Sequence, residues 1–195
     1  LNVLKKVVDK IDIIYDIGSN VGQISLQMRN YFNPSSIYCF EPDYDNLNFS
    51  RQMHNEPNIY NYINSGIYYG CMESNVYGRG DNSCGGYFLE TCVNDKTFGD
   101  FYKNTVKADS KIFKLRELES FDIPLPDLIK IDVEGSEYNI IENSTLFKKT
   151  LYLIIEWHFP KIDFIIFSKK NLPNHNIIHK EKTDLGGTWV LKLIT

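Results

Sequence analysis

"IIYDIGSNVGQISL", residues 13–26, runs Ile13, Ile14 and Tyr15 up to an acid, Asp16, and then spaces Gly18 and Gly22 ahead of a helix-like run. A short apolar segment that stops at an acid and two glycines reads as a buried strand turning tightly into a helix, because glycine adopts the turn's positive φ without a Cβ clash. Outward from this turn the same alternation repeats. "SIYCFEP" is a second strand closing at Glu41, "DYDNLNFSRQMHNE" a second helix and "NIYNYIN" a third strand. "PDLIKIDVEGSEYNIIENS" reads as a fourth strand, with Gly135 allowing the break into a helix that carries Tyr138, Ile140, Ile141 and Leu146. "LYLIIEWH" is a fifth strand, "PKIDFIIFSKKN" a helix opened by Pro160, and "NIIHKE" with "GTWVLKLIT" an antiparallel pair at a sheet edge. "LNVLKKVVDK" leads in as an amphipathic helix. Strands alternating with helices predict an α/β domain on a mostly parallel sheet.

From Ser65 to about Lys111 the alternation stops, and the chain is rich in Gly, Asn, Ser and Tyr. Inserts of this length in compact domains are commonly lids or binding loops. Tyr68, Tyr69, Tyr77, Tyr87 and Phe88 favour one that packs, with hairpin strands inside it. The expectation is a single domain, residues 1–195, whose insert covers the substrate site.

Composition narrows the function classes. The 195 residues, 43% hydrophobic, suffice for one well-packed core. A net charge of -4 disfavours a nucleic-acid backbone as partner, since phosphates call for a basic face. Cys39, Cys71, Cys84 and Cys92 show no C-x-x-C spacing, so neither a zinc cage nor a disulfide framework is implied. They read as reduced thiols in a cytoplasmic protein, the host cytoplasm if the Asn- and Ile-rich composition is viral. No apolar run of about 18 residues marks a membrane span, and no basic-then-apolar leader marks secretion. Oligomeric state is not legible.

The opening turn has the spacing D-x-G-x-N-x-G, Asp16, Gly18, Asn20 and Gly22, rather than G-x-G-x-x-G. A pyrophosphate wants backbone N–H groups at a helix start with no carboxylate beside them, so Asp16 argues against a dinucleotide. It suits a ligand with a cationic amino-acid end, and S-adenosylmethionine fits that description. Glu41 stands 25 residues after Asp16 at the next strand's carboxyl end, where an acid accepts hydrogen bonds from ribose hydroxyls. Pro42 stops that strand and Asp43 is placed to cap the helix after it. The plain alternative is that such strand-end carboxylates merely cap helices.

Two further strand ends concentrate chemistry. "IKIDVEGSE" sets Lys130, Asp132, Glu134 and Glu137 around a glycine, and Asp132 is expected in the same crevice as Asp16. Carboxylates there serve as bases, orient a hydroxyl or hold a divalent cation such as magnesium, for which Asp132, Glu134 and Glu156 are the oxygen donors to test. Lys130 also reads as one half of a structural ion pair, and Glu134 and Glu137 as first-turn acids favoured by the helix dipole alone. At the fifth strand's end His158 is the histidine placed to take a proton near neutral pH, against the alternative of a packed ring. His175 and His179 read as structural, since four residues along a strand put them about 13 Å apart.

Together "YDIGSNVGQISL", "IYCFEPDYDNL" and "PDLIKIDVEGSEYNII" resemble the motifs of the FkbM family of S-adenosylmethionine-dependent methyltransferases, over roughly Ile11 to His158. The resemblance implies a Rossmann-like class I fold: a mostly parallel seven-stranded sheet with an antiparallel last hairpin, helices on both faces and the cofactor at the carboxyl edge. It implies O-methylation of a hydroxyl on a sugar, glycan or small natural product. By that resemblance Asp16, Gly18, Asn20 and Gly22 line the methionine end, Glu41 the ribose, and Asp132 and Glu134 the reacting centre; Pro42 is counted with the cofactor-binding residues, and His158, by its place at the strand end, is expected to take the proton. Ser65 and Gly66, with Ile67, stand where the small-residue adenine motif is expected. Two other readings compete: ribose 2′-O-methylation of RNA, on Lys130, Asp132 and Glu156, and a non-catalytic methyltransferase-like binding subunit.

Overall fold

The computed structural model describes residues 8, 10–79, 87–90, 106–158, 162–183 and 186–194. Its centre is a seven-stranded sheet in the order β10-β11-β9-β8-β1-β2-β3. The first half is β1 (Ile13–Ile17), α1 (Gln23–Phe32), β2 (Ser36–Phe40), α2 (Tyr44–Met53) and β3 (Tyr60–Ile63). The second half is β8 (Leu128–Ile131), α3 (Glu137–Asn143), α4 (Leu146–Lys149), β9 (Tyr152–Trp157), α5 (Phe164–Asn171), β10 (His175–Thr183) and β11 (Gly186–Leu193). The central pairs are parallel, β1 beside β2 and β8, β2 beside β3, and β8 beside β9. Only β11 runs against its neighbours, wedged between β9 and β10, which closes the sheet in the expected antiparallel hairpin.

Alternation along buried strands sends successive side chains to opposite faces. Tyr15, Ile17, Ile129, Ile131, Leu153 and Ile155 pack with α3, α4 and α5, through Ile140, Phe147 and Phe167. Ile14, Ile37, Leu128 and Tyr152 face the other way, onto Met28 of α1. Burying apolar surface on both faces is what makes these strands continuous hydrophobic runs in sequence.

The helix starts follow local chemistry. Asp43 caps α2, its carboxylate accepting from the backbone N–H of Asp45 and Asn46. Asp163 does the same for α5, which begins at Phe164; Pro160, expected to open this helix, lies outside the described residues. The run expected as one helix after Gly135 divides into α3 and α4 at Ser144 and Thr145. There the Glu119 carboxylate accepts from the N–H groups of Thr145 and Leu146 and starts the chain afresh. In α1 the buried positions are Ser25 and Met28, while Ile24 and Leu26 are about a third or more exposed. The expected amphipathic helix at the start of the chain lies outside the described residues.

Between β3 and β8 a second sheet forms from β4 (Gly66–Ile67), β5 (Glu73–Arg79), β6 (Tyr87–Leu89) and β7 (Val106–Arg116), in the order β4-β7-β5-β6. Val76, Leu89, Phe113 and Leu115 make its own small core. Cys39 and Cys71 are free thiols, the first buried. Among the described residues no helix is long and apolar enough to cross a membrane.

Candidate cofactor and acceptor site

Everything at the carboxyl edge of the sheet depends on how the turn after β1 is held. Gly18 and Ser19 donate their N–H groups to the Phe40 carbonyl, so the chain leaves β1 across the end of β2. Gly18 has φ +77, and a Cβ there would collide with the Asp132 carbonyl, so the turns after β1 and β8 touch backbone to backbone. Gly22, at φ +81, is tight for a different reason: a Cβ would strike Ser50 and His54 of the α2 region. It packs against the α2 region and, unlike Gly18, is not among the residues that line the cleft at the strand ends.

Asp16 also departs from the expectation. Its side chain is fully buried beneath the turn, accepting from Ser25 Oγ at 2.5 Å and paired with Lys130 Nζ at 3.0 Å. Lys130 donates to the Gly18 carbonyl at 2.9 Å and lies 3.7 Å from the Asp132 carboxylate. Burial alone would lower the lysine's pKa, but the Asp16 and Asp132 carboxylates outweigh it and the pKa is raised. The ammonium therefore neutralises the strand-tip acid that the sequence reading had facing the ligand, and turns it into a brace for the glycine turn.

Above this brace a cleft of about 680 Å³, its open mouth included, crosses the ends of β1, β2 and β8. Gly18, Asn20, Glu41, Pro42, Gly66 and Asp132, all expected at the cofactor, line it together. Ser65 does not: its hydroxyl is buried and donates to the Gly66 carbonyl. The same cleft takes Glu134 and Ser136 from the turn after β8, and Phe40 and Ile67 as an apolar floor. Its far wall, Tyr87, Leu89, Phe113 and Leu115, comes from the second sheet; Tyr87 and Leu89 lie within the insert expected over the site, whereas Phe113 and Leu115 lie just past its bound at Lys111. Along "KIFKLR", residues 111–116, burial alternates, with Phe113 and Leu115 buried and Ile112, Lys114 and Arg116 exposed, but the apolar Ile112 breaks that alternation in the sequence.

Glu41 is 6% exposed at the tip of β2. Its Oε2 accepts from the Asn20 N–H and its Oε1 from the Asp43 N–H, both at 2.9 Å. Burial pushes its pKa up to about 7 despite those two donors. Each oxygen keeps acceptor capacity toward the cleft.

At the cleft's other end a histidine sits among carboxylates. Glu137 is wholly buried and holds the turn from inside, accepting from the N–H groups of Val133 and Gly135. Its Oε1 also lies 2.7 Å from His158 Nδ1. The ring's Nε2 then stands 3.7 Å from Glu134 and 3.9 Å from both Asp132 and Glu156. Burial would lower the pKa of His158, but Glu137 first, then Glu134 and Asp132, push it up to about 10. The ring already carries its proton at neutral pH, which revises the expectation that it takes one there. Glu137, read from sequence as a helix-dipole acid, is the residue that orients it. Glu156 is half exposed, and burial with the nearby Asp132 raises its pKa. His175 is structural as expected, its Nε2 2.9 Å from the Thr150 carbonyl.

This geometry fits S-adenosylmethionine. A nearly buried carboxylate, Glu41, lines the cleft and offers acceptors to hydroxyls, and the apolar side chains beside it offer a face to a base. The sequence pattern of the methyltransferase FkbM domain matches residues 16–179. The chain belongs to the FkbM methyltransferase family. No curated protein matches it significantly. Among solved structures, the FkbM methyltransferase of Methylobacillus flagellatus aligns with a TM-score of 0.59 at 15% identity, over 94% of this chain and 44% of that one. The present chain thus spans less than half the length of that FkbM protein. Streptococcus pneumoniae Sp1610, solved with S-adenosyl-L-methionine, aligns with a TM-score of 0.58 at 11% identity, covering 98% of this chain and 71% of that one. M. capricolum TrmK, solved with S-adenosyl-homocysteine, gives 0.51 at 11% identity, covering 98% and 66%. At these identities the likeness is one of fold, and the fold is that of class I methyltransferases.

Proposed function

We propose that this FkbM domain is an S-adenosylmethionine-dependent O-methyltransferase whose acceptor is a hydroxyl of a sugar, glycan or small natural product. The observation that carries the reading is that Glu41, at one end, and Asp132 with Glu134, at the other, line a single cleft. A ribose-binding acid and proton-accepting acids are thereby held a fixed distance apart by one braced turn.

When bound, the cofactor supplies an electrophilic methyl group on a sulfonium. What the chain supplies is position and a place for a proton, and positioning alone is worth several orders of magnitude in such displacements. Glu41 accepts from the ribose hydroxyls. Asp132 and Glu134 orient the acceptor hydroxyl, and one of them takes its proton, since the His158 imidazolium has no lone pair to offer. His158, fixed through Nδ1 by Glu137, lies 3.9 Å from Asp132 and 3.7 Å from Glu134 and so aims those two acids.

Among the described residues Asp132, Glu137 and His158 bring ligand atoms within 4.8 Å of one another, as a metal ion would need. Glu137 is committed to two backbone N–H groups and to the imidazole, so those residues do not fit an ion, and we assign no step to a divalent cation. The RNA reading finds no support at Lys130, whose ammonium is spent on Asp16 and the Gly18 carbonyl.

Calorimetric titration with S-adenosylhomocysteine tests the cofactor half. Wild type is expected to bind, and Glu41→Ala to weaken binding by about tenfold or more, the loss of charge-assisted hydrogen bonds. No binding by folded wild type would reject the reading. Asp132→Asn and Glu134→Gln, assayed on panels of sugar and polyol acceptors, are expected to keep cofactor affinity within a few-fold and lose turnover.

A further inference from the structure

An ammonium ties the wall that the second sheet gives the cleft to the residue that caps α2. Lys111, on β7, places Nζ 2.5 Å from Asp43 Oδ2 and 3.1 Å from the Tyr87 hydroxyl. Asp43 is 4% exposed at its side chain, and its other oxygen caps α2. Its backbone N–H donates to Glu41 Oε1, so the residue that Lys111 grips is itself bonded to the proposed ribose acid. On the opposite side Tyr87 packs edge-on against Phe113, with ring centroids 5.2 Å apart, and both rings line the cleft. The Lys111 ammonium also lies 5.1 Å from the centroid of the Tyr87 ring. An isolated surface ion pair does little. This one has a nearly buried carboxylate whose geometry is set by two other donors, which makes the ammonium's position a fixed one.

We propose that Lys111 is a positioning residue for the cofactor cleft: by joining Asp43 to Tyr87 it sets the gap between Glu41 and the aromatic wall, and with it the affinity for the nucleoside that enters. The inference rests on the cofactor reading of the cleft. Lys111 touches no ligand. It acts through Asp43 and Tyr87, and Arg at this position can keep the charge and both contacts.

Two measurements test it together on Lys111→Met, Lys111→Arg and Tyr87→Phe, the last a milder change that keeps the ring and removes only the hydroxyl contact. Amide hydrogen exchange without ligand is expected to quicken in Lys111→Met over residues 43–46 and 87–89, while β1 and β8 exchange as in wild type. Calorimetry with S-adenosylhomocysteine is expected to give about a tenfold weaker Kd for Lys111→Met, a smaller loss for Tyr87→Phe, and wild-type affinity for Lys111→Arg. A lower melting temperature with unchanged Kd in Lys111→Met would overturn the proposal, as would unchanged exchange in both segments. If folded wild type itself binds no S-adenosylhomocysteine, the cofactor reading falls and the affinity role with it. The exchange data then report separately whether Lys111 fastens the wall.

Discussion

Lys130 is the residue on which the opening turn depends, and it shows how a buried charge becomes architectural. Its ammonium is 7% exposed and meets the Asp16 carboxylate, itself wholly buried. Replacing a buried pair by apolar groups can be neutral, but removing one partner leaves the other charged and unpaired. Lys130→Met is therefore expected to destabilise the fold by about 3–5 kcal/mol, read as a fall in the denaturant midpoint, with the double variant Lys130→Met, Asp16→Leu recovering part of the loss. His158 makes a pH prediction. Its folded pKa is raised to about 10 from an ordinary 6.5, so its contribution to stability is fully present below 6.5 and lost as pH rises through about 10. The decline in melting temperature across that window should flatten in His158→Gln. Glu41 gives a second. Ribose hydroxyls donate to a carboxylate, and this one ionises near pH 7, so affinity for S-adenosylhomocysteine should rise with pH up to about 7 and then level. In Glu41→Gln the affinity should be lower and flat over the same range.

At the scale of elements, the turns after β1 and β8 behave as one unit. Gly18 presses against the Asp132 carbonyl, Asp132 donates its N–H to the Ile17 carbonyl, and Lys130 ties the Gly18 carbonyl from below. Gly18→Ala adds a Cβ both at positive φ and into backbone that cannot move aside. Strain of that kind costs about 1–3 kcal/mol before the collision is counted, a fall in melting temperature of several degrees for a domain this size. Because the turn also lines the cleft, cofactor affinity should fall with it, whereas Gly22→Ala, which meets only Ser50 and His54, should cost stability more than affinity. The second sheet was partly legible in the same way. Phe113 and Leu115 alternate with exposed residues in β7, yet β4 is only Gly66–Ile67 and no local pattern marks so short a strand.

Over the whole molecule, charge speaks against a nucleic-acid substrate. The chain carries 25 acidic and 21 basic side chains, and two of the lysines nearest the cleft, Lys111 and Lys130, are held by Asp43 and Asp16. Phosphate contacts need free cations and make binding strongly salt-dependent. Gel-shift assays with single-stranded and structured RNA at low salt are expected to show no complex. Salt-dependent binding would restore the ribose 2′-O-methylation reading.

The sheet and its strand ends were legible in sequence alone, because each rests on local patterns: buried runs ending at Asp16, Glu41 and Asp132, and glycines at positive φ in the turn after β1. What Asp16 and Glu137 do was decided by tertiary structure. Both are acids at strand or helix ends in sequence, and only the fold brings Lys130 under the first and His158 against the second. The same holds for His158, whose protonation follows from three carboxylates arriving from the turn after β8 and the start of α3. It holds again for the wall of Tyr87 and Phe113, which reaches the cleft through pairings between distant strands. A charge's partner and a pocket's far side are long-range facts, set by where strands meet and not by what any one of them contains.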